Sequence, residues 1–259
     1  MHQPRKRFGQ HFLEDDNVIL RLVELIAPTK EQHVVEIGPG HGALTLPVLR
    51  KTGKLDAVEL DRDLIPTLRA RAKDIGTLTI HEADALKFDF GALAANAQPL
   101  RIIGNLPYNI STPLIFHLLE FAPQITDMHF MLQKEVVDRL AAEKGTSDYG
   151  RLSIMVQYYC QVSALFDVPP EAFNPPPKVN SSIVRIVPYR TLPFIANDYG
   201  FFQNLVKQAF GQRRKTLRNC LKKLVSDEDW QRLTIDSKLR PEQLTVADYV
   251  ELSNALTQA

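Results

Sequence analysis

Only two cysteines occur in 259 residues, Cys160 and Cys220, in unrelated segments and without the spacing of a metal site or a disulfide framework. The seven histidines are scattered as well, so no metal centre is expected. No apolar run approaches the ~20 residues that a membrane span needs. The basic N-terminus leads into Phe8-Gly9-Gln10-His11-Phe12 rather than an apolar signal core. These absences describe a soluble, cytoplasmic chain with reduced cysteines and no membrane partner, expected as a monomer. There is no internal repeat and no low-complexity tract. A formal charge of +1 also excludes a uniformly cationic binder, so any affinity for nucleic acid has to come from how the charge is distributed.

That distribution is uneven. Arg5-Lys6-Arg7 opens the chain with no acidic residue before Glu14, and Lys207 to Lys223 holds seven basic residues and no acidic one. On a helical wheel Val206, Phe210, Leu217, Leu221 and Leu224 share one face, with Lys207, Arg214, Arg218 and Lys222 in an adjoining stripe. The pattern predicts an amphipathic helix with a cationic flank. Taken alone it reads first as a solvated helix face; alongside the other motifs it is a candidate phosphate-binding set.

Short apolar runs alternate with helical patterns. Strands are expected near His33 to Ile37, Leu55 to Leu60, Leu78 to His81, Leu100 to Gly104 and Asp127 to Gln133. This βαβ rhythm predicts a mostly parallel, Rossmann-like α/β sheet with ligands beyond the carboxyl ends of its strands. Ser153 to Tyr159 and Ser182 to Pro188 are expected to finish the sheet as an antiparallel pair. Between them, the proline-dense Pro169 to Lys178 has little freedom to lose and suits rigid presentation of a side chain. From Pro193 the pattern turns helical. The length suits one large domain plus a small one, expected over residues 1–190 and 191–259.

Two motifs carry chemistry. Glu36-Ile37-Gly38-Pro39-Gly40-His41-Gly42 follows the first strand of that series and precedes a helical stretch, where glycines such as Gly38 and Gly40 let the backbone approach a ligand. Glu59 ends the second strand, where a carboxylate can hold ribose hydroxyls, and Asp84-Ala85 follows the third, placed to meet an adenine amino group. Together they describe a nucleoside cradle, although Gly38, Gly40 and Ala43 also satisfy a dinucleotide fingerprint, and singly each carboxylate reads as a solvated loop residue.

The second motif, Asn105-Leu106-Pro107-Tyr108, follows the fourth strand. Read as chemistry, the Asn105 amide oxygen and the Leu106 carbonyl accept the two N–H bonds of an exocyclic amine and localise its lone pair. Pro107 holds that carbonyl, and Tyr108 stacks on an extruded base. Read as structure, it is a turn with a core tyrosine. A tetrapeptide of this kind has no obvious job in hydride transfer, which disfavours a nicotinamide enzyme.

At this point the chain resembles the small-subunit rRNA adenine dimethyltransferases. The resemblance rests on Arg5 to Leu13, Glu36 to Gly40, Asn105 to Ser111, Leu132 to Val136, Pro169 to Val179 and Gln212 to Arg218, in that order along nearly the whole chain. It implies an S-adenosylmethionine-dependent methyltransferase domain followed by a small all-helical RNA-recognition domain. His11, Leu13, Gly38, Glu59, Asp84 and Asn105 would line the cofactor site, and Phe173 would face Tyr108 across the target base. The implied product is N6,N6-dimethyladenosine at two adjacent adenosines in a stem-loop near the 3′ end of 16S rRNA, in the small ribosomal subunit or its precursor. Alternatives are a large-subunit adenine methyltransferase, which the Pro169 to Val179 and Gln212 to Arg218 matches disfavour, and an assembly factor that acts mainly by binding.

Overall fold

The computed structural model describes residues 11–94, 98–212 and 214–257. The basic triplet Arg5, Lys6 and Arg7 lies outside them, as does Arg213. Contacts divide the chain into two units, one running to Val137 and resuming over Ser163–Pro188, the other taking Asp138–Val162 and Tyr189 onward. The expected division at 190/191 differs from this mainly in residues 138–162, which belong with the C-terminal segment.

The first unit begins with β1 (Phe12–Leu13) and α1 (Asp16–Ile26). The Asp15 side chain accepts the N–H groups of Asn17 and Val18, capping α1, and Ile19, Leu22, Val23 and Ile26 form its buried stripe. There follow β2 (His33–Ile37), α2 (Thr45–Thr52), β3 (Lys54–Glu59), α3 (Ile65–Ala72), β4 (Thr77–Glu82), β5 (Leu100–Asn105), α4 (Ser111–Leu119) and β6 (Ile125–Gln133). These five strands, β2 to β6, fall on the five apolar runs read from the sequence. The runs are legible because β2, β5 and β6 are covered on both faces, so that Val34, Val35, Ile102, Ile103, Met128 and Phe130 are all fully buried.

Next come α5 (Lys134–Leu140), α6 (Arg151–Gln157), β7 (Cys160–Val168), β8 (Phe173–Asn174) and β9 (Ser181–Pro188). Seven strands form one sheet in the order β4-β3-β2-β5-β6-β9-β7, and β1 pairs with β8 in a separate two-stranded ladder. The pairs β3–β4, β2–β3, β2–β5 and β5–β6 are parallel, and β9 runs antiparallel to β6. The order reverses between β2 and β5, the topological switch point at which such sheets open a crevice past their strand ends. The two strands approach closely there: a Cβ on Gly104 would sit 2.5 Å from the Ile37 carbonyl oxygen, so only glycine fits.

The strand expected over Ser153 to Tyr159 is instead helix α6. Gly150 N–H donates to Ser153 Oγ, which donates to the Arg139 carbonyl, and Gln157 Nε2 donates to the carbonyls of Leu140 and Ala142. Ser153, Ile154, Met155 and Val156 are buried in succession, and a run buried on every side shows neither the helical nor the strand period. The strand beside β9 is β7, which begins three residues after α6 ends.

The second unit continues with α7 (Tyr199–Ala209), α8 (Leu217–Cys220), α9 (Asp227–Arg232) and α10 (Val246–Thr257). α7 buries Phe202, Leu205, Val206 and Ala209, and α10 buries Tyr249, whose hydroxyl donates to the Pro241 carbonyl. The single amphipathic helix expected through Leu224 does not form. α7 stops at Ala209, and Gly211 follows in the turn. Thr216 is extended, and the N–H groups of Leu217 and Arg218 turn to the carbonyls of Leu239 and Ser237 at 2.8 and 3.0 Å. Leu217 and Leu221 are still buried, but as anchors of a short helix. Lys207, Arg214, Arg218 and Lys222 are all exposed, with Arg218 ion-paired to Asp227 at 2.7 Å, and they do not share one helical stripe. Among the described residues no helix is long and apolar enough to cross a membrane.

Candidate active site

A cavity of about 360 Å³ opens in the first unit, past the carboxyl ends of β2 to β5. It brings together His11, Leu13, Gly38, Gly40, Glu59, Asp84, Ala85, Asn105, Leu106, Pro107 and Tyr108, residues that the sequence singles out in five separate segments. Its floor is the β2–α2 loop. Gly40 adopts a left-handed backbone (φ 56°), and a Cβ there would meet the Phe12 ring at 3.1 Å, so the residue both permits the turn and admits the N-terminal arm.

Glu59 joins two of these loops. Its Oε2 accepts the Gly40 N–H at 3.2 Å and its Oε1 accepts the Asp61 N–H at 2.8 Å. Burial raises the Glu59 pKa, while the two N–H groups hold it down. Asp84 Oδ1 accepts the Leu86 N–H at 3.0 Å, which orients that carboxylate on the wall of the cavity.

The Asn105–Tyr108 segment turns out of β5. The Leu106 N–H donates to the Met131 carbonyl and the Ile110 N–H to the Pro107 carbonyl, both at 3.2 Å, so the main chain of the tetrapeptide is fixed from both ends. Asn105 Nδ2 donates to the His11 carbonyl at 2.9 Å. A main-chain carbonyl only accepts, so Asn105 Oδ1 is turned away from the arm and remains an acceptor. The Tyr108 hydroxyl shares a hydrogen bond of 2.8 Å with Ser181 Oγ on β9, and its ring stacks on His11 with centroids 5.6 Å apart. Burial raises the Tyr108 pKa, so the hydroxyl stays neutral.

The arm itself is clasped. His11 Nδ1 donates to the Pro175 carbonyl at 2.7 Å, β1 pairs with β8, and the Glu14 N–H donates to the Ala172 carbonyl. In this clasp Phe173 pairs with Leu13 and is 4% exposed, within the same buried cluster as Leu13, Ala172 and Ile183. Phe173 is not among the residues lining this cavity, and it belongs to the buried cluster beside the arm.

Glu36 was read only as part of the glycine loop, yet it lines the cavity and is 2% exposed. Burial pushes its carboxyl up to about 8, with the Thr45 hydroxyl pulling the other way and the Glu59 carboxylate adding to the rise. Its Oε2 is sealed from solvent, and the group that hydrogen-bonds the carboxyl is the Thr45 hydroxyl, itself sealed from solvent. Ser181 was also missed, since nothing local ties it to Tyr108, 73 residues earlier.

A mostly parallel sheet with a cavity at its switch point, walled by Glu36, Glu59, Asp84 and the Asn105 amide, is the arrangement of a Rossmann-like enzyme that takes a nucleoside cofactor. The family model for ribosomal RNA adenine dimethylase matches residues 1–258. The chain is 56% identical over 257 residues to "Ribosomal RNA small subunit methyltransferase A" of Pseudomonas aeruginosa, covering 99% of this chain and 96% of that one. It is 56% identical over 253 residues to the protein of the same name from a Marinomonas species, covering 98% and 95%. The fold matches the crystal structure of a dimethyladenosine transferase from Plasmodium falciparum with TM-score 0.77 and 26% identity, over 93% of this chain and 96% of that chain. It matches the 23S rRNA methyltransferase ErmE with TM-score 0.73 and 22% identity, over 95% and 100%, which bears on the fold alone. The chain belongs to the ribosomal RNA adenine dimethylase family, and it is an S-adenosylmethionine-dependent rRNA adenine dimethyltransferase.

Proposed function

We propose that this enzyme dimethylates N6 of two adjacent adenosines in a stem-loop near the 3′ end of 16S rRNA, within the small ribosomal subunit or its precursor, and so contributes to ribosome biogenesis. The observation that carries the reading is the Asn105 amide, held by the His11 carbonyl so that Oδ1 is left free to accept. The small-subunit assignment is supported by the names of relatives more than half identical over almost the whole chain.

The residues of the cavity fit the cofactor. Gly38 and Gly40 leave the loop backbone open to it, Glu59 stands to accept from the ribose hydroxyls and Asp84 from the adenine amino group, with Ala85 beside it and His11 and Leu13 closing the arm over the site. When bound, S-adenosylmethionine supplies a methyl group on a sulfonium, already a good leaving group. Catalysis by the chain then rests on orientation and electrostatics. Asn105 Oδ1 and the Leu106 carbonyl accept the two N–H bonds of the adenine amine and draw its lone pair out of conjugation. Pro107 fixes that carbonyl, and Tyr108 holds the extruded base by stacking. No covalent enzyme intermediate is needed, and the amine proton leaves to water after attack.

RNA affinity is assigned to Arg5, Lys6 and Arg7 with Lys207, Arg214, Arg218 and Lys222, and choice of RNA shape to the helical unit. The enzyme acts as a cytoplasmic monomer in this reading. The test is incubation with labelled S-adenosylmethionine and undermethylated small subunits, followed by nucleoside analysis. Label is expected in N6,N6-dimethyladenosine within one fragment near the 3′ end of 16S rRNA. Label in large-subunit RNA instead would overturn the substrate and leave the cofactor standing.

A further inference from the structure

Tyr108 already has a ring against it. The His11 imidazole lies on it with centroids 5.6 Å apart and planes 25° from parallel, and both residues line the cavity. Neither ring is loose. The Tyr108 hydroxyl is tied to Ser181 Oγ at 2.8 Å, and His11 Nδ1 donates to the Pro175 carbonyl at 2.7 Å. The His11 carbonyl accepts from the Asn105 amide at 2.9 Å, and the next two residues, Phe12 and Leu13, pair with Asn174 and Phe173. A base sandwiched between the two rings needs about 7 Å between their planes, twice the ~3.5 Å contact of carbon atoms. Centroids 5.6 Å apart leave no such gap, and opening one would break a tether on one ring or the other.

We infer that His11 is a positioning residue for the target adenine: its imidazole backs Tyr108, and the base stacks on the opposite face of that ring as the third layer. The inference rests on the reading of Tyr108 as the stacking platform. A ring with one face covered and its hydroxyl tied presents a single face at a set angle, so less side-chain freedom is lost when the base arrives. The same residue holds the Asn105 amide through its carbonyl. One arm residue therefore sets both the plane in which the base lies and the acceptor that meets its amine. The base site is complete only with the arm docked.

Two measurements test this. Methylation of undermethylated small subunits is the first. His11→Ala keeps the main-chain carbonyl that holds Asn105 and should lower kcat/KM on the order of 3- to 10-fold, the scale of one ring pair. His11→Phe, which keeps a ring and loses the Nδ1 bond, should restore most of that loss, and a purely structural role for the bond would forbid the rescue. In a Tyr108→Ala background His11→Ala should cost nothing further, because the ring it backs is gone. Additive losses, or no rescue by Phe, would overturn the inference. So would a loss from Tyr108→Ala with none from His11→Ala, which leaves Tyr108 as the platform. No loss from Tyr108→Ala would remove the platform reading and this inference together. The second measurement needs no variant: electron cryomicroscopy of the wild-type enzyme on those subunits, with S-adenosylhomocysteine to hold the state before transfer. The imidazole is expected on one face of Tyr108 and the adenine on the other. An adenine between the two rings, or an imidazole displaced by it, would overturn the inference.

Discussion

Asn105 and His11 are joined by a hydrogen bond of 2.9 Å, from the side-chain amide of one to the main-chain carbonyl of the other, across 94 residues of sequence. The bond sets which end of the amide faces the cavity. A tetrapeptide fixed at its main chain still leaves the Asn105 amide able to turn, and the bond to the arm holds it in one orientation.

Replacing Asn105 by Ala should therefore slow turnover on the order of 100-fold or more, by analogy with the loss of one oriented group at a developing charge. RNA affinity should be unchanged, because the amide acts on the amine and touches no phosphate. Single-turnover methylation alongside RNA binding by filter retention separates the two, and near-normal turnover would remove Asn105 from the chemistry.

Tyr108 distinguishes stacking from hydrogen bonding. Tyr108→Phe loses only the bond to Ser181, worth about 0.5–1.5 kcal/mol, and should have a mild effect on base capture. Tyr108→Ala loses the stacking face and should cost ~1–3 kcal/mol in binding of the target adenosine. Equal effects from the two substitutions, read as KM for a short stem-loop, would assign the role to the hydroxyl instead.

Arg214, Arg218 and Lys222 replaced together by Ala should weaken RNA binding and flatten its dependence on salt, since each lost phosphate contact lowers the slope by about 0.7–0.9. Arg218 should contribute least of the three, being ion-paired with Asp227 in the free protein. S-adenosylmethionine affinity should not move. An unaltered salt slope would mark these residues as solvated surface.

The raised Glu36 pKa makes a prediction about stability. The folded protein keeps a proton there up to about pH 8, while the unfolded chain releases it near the ordinary carboxylate value of 4.5. Between those values the native state binds more protons than the unfolded state, so this carboxyl lowers stability as pH rises and its effect levels off above about 8. Glu36→Gln carries no such penalty. It should match the wild type at about pH 4 and exceed it by a few kcal/mol at pH 8, measured by urea unfolding across the range. Parallel curves for the two proteins would show that Glu36 is not the group responsible.

The sheet was legible in the sequence because its central strands are buried on both faces and stand out as apolar runs; His33–Ile37 is found with identical limits. Gly38, Gly40, Glu59, Asp84, Ala85 and Asn105 to Tyr108 were legible because each ends or follows a strand, and strand ends converge at a switch point whatever lies between them, whereas His11 and Leu13 came only from the family resemblance. What escaped depended on distance or context. α6 escaped because a short run buried all round has no period. The helix through Leu224 failed because apolar spacing cannot report that the Leu217 and Arg218 N–H groups find partners in Leu239 and Ser237. Phe173 was placed by motif, and its burial against the arm depends on a ladder between residues 160 apart. The importance of Glu36 comes from its enclosure rather than from its neighbours in sequence.

That ladder has a consequence for when the enzyme becomes competent. The clasp joins Phe12 to Asn174 and His11 to Pro175, and Ser181, which holds Tyr108, follows shortly after. A nascent chain can lay down the strands in order as it is made, but it cannot fasten the arm across the cofactor cavity until more than two thirds of its length has cleared the exit tunnel. The enzyme thus completes its own pocket only after all of its parallel strands, β2 to β6, have been made.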